Sequence, residues 1–136
     1  MLTVLEKVNI LQKAPIFHGV RTESLARVAA IAQEVQYNAR ELLYRENDAA
    51  DSMFVVMEGE VVVLRNGQEV KKLGPYQEVG AVALLAGESQ PESAMATQPT
   101  QALQIDQQEF YDAMAEDFNI TRGILRALAL SAAGGA

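Results

Sequence analysis

The sequence contains no cysteine, and that absence removes disulfides, thiolate metal sites and thiol nucleophiles together. Histidine occurs once, as His18 beside Gly19. One imidazole cannot build the multi-histidine metal site of a cupin-like roll, nor serve as base for Ser89 or Ser93, which lie far away in sequence. No apolar run reaches the roughly 18 residues that a membrane span needs, so direct membrane insertion is not expected. The opening residues, Met1-Leu2-Thr3-Val4-Leu5-Glu6-Lys7, bring an acid early and no small-residue cleavage site. No secretory signal is read there, and a cytoplasmic location is expected.

Positive charge is scarce as well. Eleven Lys and Arg face 18 Asp and Glu, for a net charge of −7. After Lys72 the next basic residue is Arg122, and between them lie Glu78, Glu88, Glu92, Asp106, Glu109, Asp112, Glu116 and Asp117. A nucleic-acid or anionic-membrane partner would need a basic face, so neither is expected. The acidic stretch reads most simply as a solvated, solubilising surface.

What is present describes one globular domain, 1–136, with 49% hydrophobic and 21% charged residues. Val4, Leu5, Val8 and Leu11 recur at helical spacing, Pro15 breaks the pattern, and Ile16-Phe17 form an apolar plug. A second helix is expected after Thr22 as N-cap, burying Leu25, Val28, Ala29 and Ala32. From about Val35 the period becomes strand-like. Short strands are expected at Val35–Tyr37, Leu42–Tyr44, Met53–Met57, Glu60–Leu64, Val70–Leu73, Ala94–Ala96 and Ala102–Ile105. Asn47 suits a left-handed turn, Glu58-Gly59 a tight turn, and Arg65-Asn66-Gly67-Gln68 a type I′ hairpin. Asp106 with Glu109 resembles a capping box opening a helix that carries Phe110, Tyr111 and Met114 inward. Asn119 is expected to cap a last helix striped by Ile120, Ile124 and Leu128, which either packs on its own domain or seams a homodimer. The order is thus N-terminal helices over 1–33, a β-roll over 34–106, C-terminal helices over 107–130 and a flexible tail over 131–136. It predicts a mainly β fold with helical flanks, an eight-stranded double-sheet jelly roll.

Residues 79–96 hold the main functional signal. An apolar helical turn stands between Gly80 and Gly87, then a polar loop, then an alternating strand. A helix opened by glycine presents free backbone N–H groups, a shape that suits an anion. The side chains available there are carboxylates.

Three segments carry a family resemblance: Leu11-x-x-x-Pro15-Ile16-Phe17, then Asp48 through Val61, then Leu73-Gly74-Pro75 with Gly80-x-x-Ala83-Leu84-Leu85 and Pro91-x-Ser93-Ala94. Together they resemble the cyclic nucleotide-binding domain, the regulatory module of catabolite-activator-type transcription factors, kinase regulatory subunits and gated channels. The resemblance runs from about Leu5 to Leu128 and implies an eight-stranded β-roll with a helix pair before it and two helices after it. It also implies a phosphate-binding cassette, Phe-Gly-Glu-x-Ala-Leu-Leu then Pro-Arg-Ser/Thr-Ala, whose glutamate takes the ribose 2′-hydroxyl and whose arginine pairs with the phosphate. Here Val79 replaces the phenylalanine, Ala81 the glutamate and Glu92 the arginine. Arg40 and Tyr76 stand where the family has glycine.

The pocket positions implied by the resemblance are Gly80, Ala81, Val82, Glu92, Ser93 and Ala94, with cAMP and cGMP binding expected to be lost. No cofactor and no catalytic constellation is expected. The Asp48/Asp51 pair lacks the dense oxygen ligands of a calcium loop and reads as turn chemistry. Met53, Met57, Met95 and Met114 read as core filling. The expected function is a non-catalytic regulatory or protein-interaction module, acting on another domain or protein. The alternative is a sensor that binds a cyclic nucleotide or another ligand in the same pocket, a cationic or hydroxyl-rich one being favoured by Glu88 and Glu92. With no helix-turn-helix region in view, the chain is not expected to be a complete transcription factor by itself.

Overall fold

A computed structural model describes residues 1–134. Two antiparallel four-stranded sheets face each other as a roll, with helices packed on the outside of one of them. Helix α1 (Val4–Gln12) opens with a full capping box between Thr3 and Glu6. A 3-10 turn at Pro15–Phe17 follows, then α2 (Thr22–Ile31). The eight strands are β1 (Gln33–Tyr37), β2 (Leu42–Tyr44), β3 (Ser52–Glu58), β4 (Val61–Arg65), β5 (Gln68–Leu73), β6 (Glu78–Val79), β7 (Ser93–Ala96) and β8 (Thr100–Asp106). Helix α3 (Ala81–Ala86) sits between β6 and β7; α4 (Gln107–Glu116) and α5 (Phe118–Gly134) close the chain. The sheets run β1-β8-β3-β6 and β2-β7-β4-β5.

The continuous apolar run of β3 is explained by its two covered faces. Met53 and Val55 point into the core shared with the helices, whereas Phe54 and Val56 point between the sheets. Phe17 and Phe110 meet edge to face at 6.1 Å at the centre of the helical core, both fully buried. The smaller inter-sheet core gathers Val61, Val63, Val79, Ala94 and Ala102 around Phe54. At the hairpin, Arg65 pairs with Gln68 while Asn66 (φ 53°) and Gly67 (φ 77°) take the left-handed backbone that an Asn-Gly turn demands. Asn47 likewise has φ 72°. Among the described residues no helix is long and apolar enough to cross a membrane.

Several local expectations are corrected. Thr22 is the first helical residue and not the cap; Arg21 holds that position, and its N–H donates to the Asn119 side chain at 2.9 Å. Asn119 is therefore committed to α2 across the core. Asp117 instead accepts from the Asn119 N–H at 3.1 Å. Asp106 caps α4 through the Glu109 N–H, but as the last residue of β8 it already pairs with Ser52, and the reciprocal half of the box is not formed. Helix α5 continues through Ser131 to Gly134, four residues past the expected end; the rest of the expected tail, Gly135 and Ala136, lies outside the described residues. Ile120 and Ile124 are buried in the domain's own core, with Leu128 packed against it, so the apolar stripe is used internally. The Glu58-Gly59 turn, with Gly59 at φ 104°, carries the chain from β3 to β4 in the other sheet.

Arg40 (φ 75°) and Tyr76 (φ 70°) keep the left-handed conformation in spite of their side chains. Each costs on the order of 1–2 kcal/mol of backbone strain. Tyr76 is held by its N–H to the Val56 carbonyl (2.7 Å) and by the Lys13 ammonium 4.7 Å from its ring.

Candidate ligand pocket

Strand β6 delivers the chain to Gly80, whose φ of +85° turns it into α3. The glycine is required twice over. A left-handed φ disfavours any side chain, and a Cβ would lie 3.1 Å from the Tyr44 ring and 3.2 Å from the Gln90 Nε2. Ala81, Ala83 and Leu84 then bury the inner face of α3. Its last turn is anchored from α4: the Tyr111 hydroxyl (2.8 Å) and the Gln107 Nε2 (2.9 Å) both donate to the Leu84 carbonyl.

Between α3, the Ser89–Glu92 loop, β5 and β2 lies a cavity of about 450 Å³. Its floor is apolar, formed by Val63, Leu73 and Val79, and its polar groups are Tyr44, Glu78, Gln90 and Glu92, with Lys71 and Glu88 also lining it. That size and that mix are typical of small-molecule sites. A second cavity of about 280 Å³ adjoins it, sharing Lys71, Leu73, Glu78 and Val82, and is also lined by Pro15, Ile16 and Leu128.

The electrostatics run against an anion. The Glu92 carboxylate, at the family's arginine position, is paired with Arg65 at 3.2 Å. The Glu78 carboxylate accepts from the Ala81 N–H at 3.2 Å, so an internal carboxylate already sits on that amide of the cradle. Burial pushes the Glu78 carboxyl above the usual range, the Ala81 N–H and the Lys71 ammonium pulling it partly back. The Tyr44 phenol is pushed well above its ordinary value, first by burial and then by Glu78 and Glu92. Tyr44 also stacks on Phe54, centroids 6.5 Å apart, which fixes the ring at the pocket wall.

Glu78 makes one effect measurable. Its carboxyl binds a proton more tightly folded than unfolded, so its contribution to stability is fully present below the unfolded value and lost as pH rises through the folded one. Glu78→Gln, which keeps the acceptor for the Ala81 N–H, should therefore raise the melting temperature at pH 7.5 and leave it nearly unchanged at pH 4. A melting difference that stays constant across that range would contradict the burial argument.

Of the six positions singled out in the sequence, Gly80, Ala81, Val82 and Glu92 line the one cavity. The other two face elsewhere. The Ser93 hydroxyl accepts from the Glu46 N–H at 2.9 Å, and Ala94 is fully buried between the sheets. Sequence reasoning missed Tyr44, Gln90 and Lys71 as pocket residues, and saw Glu78 only as one acid in a run. Gln90 carried no signal at all: glutamine in a polar loop reads as solvated, yet it is 3% exposed. Asp48 accepts from the Arg45 N–H, in keeping with turn chemistry, and the described residues hold no group of three acids or histidines placed to bind a metal ion.

Residues 34–117, the whole roll and its first following helix, match the family model of the cyclic nucleotide-binding domain. The chain belongs to that family. Over 126 residues it is 22% identical to the CRP-like cAMP-activated global transcriptional regulator of Mycobacterium tuberculosis, covering 89% of this chain and 56% of that protein. The chain spans between 9% and 56% of the length of the curated relatives it matches. Its fold is that of the N-terminal domain of a transcriptional regulator from Streptomyces coelicolor A3(2), with a TM-score of 0.82, 23% identity and coverage of 93% and 94% of the two chains. The regulatory subunit of a cAMP-independent protein kinase A from Trypanosoma brucei shares the fold at a TM-score of 0.78 and 13% identity, over 90% of this chain and 44% of that one.

Proposed function

We propose that the chain is a non-catalytic, cytoplasmic regulatory or protein-interaction module whose pocket no longer takes the cyclic phosphate of cAMP or cGMP. The observation that carries this reading is Glu92, a carboxylate at the family's phosphate-pairing position, held at the pocket by Arg65. A charge-assisted hydrogen bond contributes roughly 1.5–3 kcal/mol, and a bidentate arginine–phosphate pair makes two of them. A carboxylate in its place adds repulsion of about 4 kcal/mol for unit charges ~4 Å apart at an effective dielectric of ~20. Ala81 offers no acceptor for a ribose hydroxyl, and Glu78 places a further negative charge on the cradle.

The names of the relatives support a regulatory role, and a kinase regulatory subunit named as cAMP-independent shares the fold. Isothermal titration with cAMP and cGMP is the direct test. Each ~1.4 kcal/mol is tenfold in affinity, so even halved for solvent exposure and rearrangement these terms weaken binding about a thousandfold, enough to turn a micromolar site into a millimolar one. A dissociation constant below about 10 μM for either nucleotide would overturn the reading. The second reading, a sensor for a different ligand, is favoured by one observation: the cavity is open, not filled by side chains.

A further inference from the structure

The pocket contains more recognition chemistry than a relic requires. Gln90 is 3% exposed, yet its side-chain amide takes part in none of the hydrogen bonds among the described residues. No fully enclosed side-chain nitrogen or oxygen of the described residues is left unpaired. The Gln90 amide must therefore open onto the cavity that it lines, and its Nε2 lies beside Gly80 at the cradle. A buried amide without an internal partner is costly unless something in the cavity meets it. The Tyr44 hydroxyl is likewise without a protein partner among the described residues, and only one Glu78 oxygen, Oε2, is engaged.

The charges then select the occupant. Three glutamates (Glu78, Glu88, Glu92) and one lysine (Lys71) line the cavity. Arg65 is tied to Glu92 and offsets its charge, which leaves Glu78 and Glu88 against Lys71. An anionic ligand would meet net negative charge, whereas a donor-rich cation matches the acceptors that this lining offers, the Gln90 carbonyl, the Tyr44 oxygen and the free Glu78 oxygen. We infer that this pocket binds a small organic cation, an amine or guanidinium of metabolite size, with Gln90 and Glu78 as its readers.

The inference rests on the reading that the cyclic phosphate is excluded, and the experiment keeps the two apart. Thermal shift and calorimetric titration in 150 mM NaCl would be run with agmatine, putrescine, glucose and cAMP. Saturable binding of agmatine or putrescine is expected, weakened at least tenfold by Gln90→Ala and by Glu78→Gln, each verified as folded by its melting curve. Glu116→Gln, on the outer surface of α4, should leave the affinity unchanged. Silence with both amines, preference for glucose over the amines, or binding indifferent to Gln90→Ala and Glu78→Gln would overturn the inference, the last because it would mark diffuse attraction to an acidic protein. Tight cAMP binding would overturn the reading beneath it as well.

Discussion

Glu92→Arg is expected to raise the affinity for cAMP by about a thousandfold, a gain that calorimetry on the variant and the parent reads directly. The sum is simple. Removing the carboxylate relieves about 4 kcal/mol of repulsion at an effective dielectric of ~20, and an arginine in its place makes two charge-assisted hydrogen bonds of roughly 1.5–3 kcal/mol each. Halved for solvent exposure and rearrangement, about 4 kcal/mol remains, close to three decades in affinity. The structure adds a second contribution. Arg65 loses its carboxylate partner at 3.2 Å, so its charge is no longer offset at the position beside the pocket residue 92. Adding Ala81→Glu restores the acceptor that the family places toward the ribose. Ala81 is 1% exposed, so this glutamate finds room only by projecting into the cavity. The variants should be compared with the parent at matched ionic strength, since screening weakens each of these contacts. If Glu92→Arg folds and stays silent, Glu92 is not what excludes the phosphate. The obstacle would then be Glu78, which already holds the Ala81 N–H.

The fold was legible wherever a residue's local chemistry and its final environment agree. The apolar run of Met53–Val56 could be read as a strand because both of its faces are covered. The Asn66-Gly67 hairpin followed from two residues that accept positive φ. Positions where one side chain serves a distant element were not legible. Asn119 has the sequence context of a cap, but its oxygen serves the Arg21 N–H, 98 residues away in sequence. Strand β6 has only two residues, Glu78 and Val79, and owes its existence to Phe54 and Val55 on the partner strand. A two-residue strand has no period to detect. The pocket divided along the same line. Gly80 and Glu92 could be found from a contiguous motif, whereas Tyr44 and Gln90 reach the cavity only because β2 pairs with β7 and the Ser89–Glu92 loop folds inward. The backbone that turns at Arg40 and Tyr76 is a further case: the left-handed geometry persists where the residue that favours it is gone, because the surrounding hydrogen bonds hold it.

Gly123→Ala is expected to destabilise the protein by about 1–3 kcal/mol, the cost of overpacking a filled contact, and Gly123→Leu by more. Helix propensity alone gives the opposite sign, since alanine in a helix interior is favoured over glycine by roughly 0.5–1 kcal/mol. The contact decides. A Cβ at Gly123 would lie 2.5 Å from a Val20 methyl and 2.8 Å from the Gly19 carbonyl carbon and oxygen. Two of those three atoms are backbone and cannot rotate aside, and Val20 is itself buried. The strain must be relieved by lifting α5 away from the Pro15–Phe17 turn and the Gly19-Val20 segment behind it. Ile120 and Ile124 would then lose part of their packing against Phe17 and the helical core. The consequence reaches the pocket, because Leu128 on the same helix lines the cavity that shares Lys71, Leu73, Glu78 and Val82 with the candidate ligand pocket. Urea unfolding should show a lower midpoint at unchanged slope for Gly123→Ala, and hydrogen exchange should show α5 opening before the β-roll. A Gly123→Ala variant at least as stable as the parent would mean that α5 is not seated by this glycine contact, and that its position over the second cavity is set by the α4–α5 side alone.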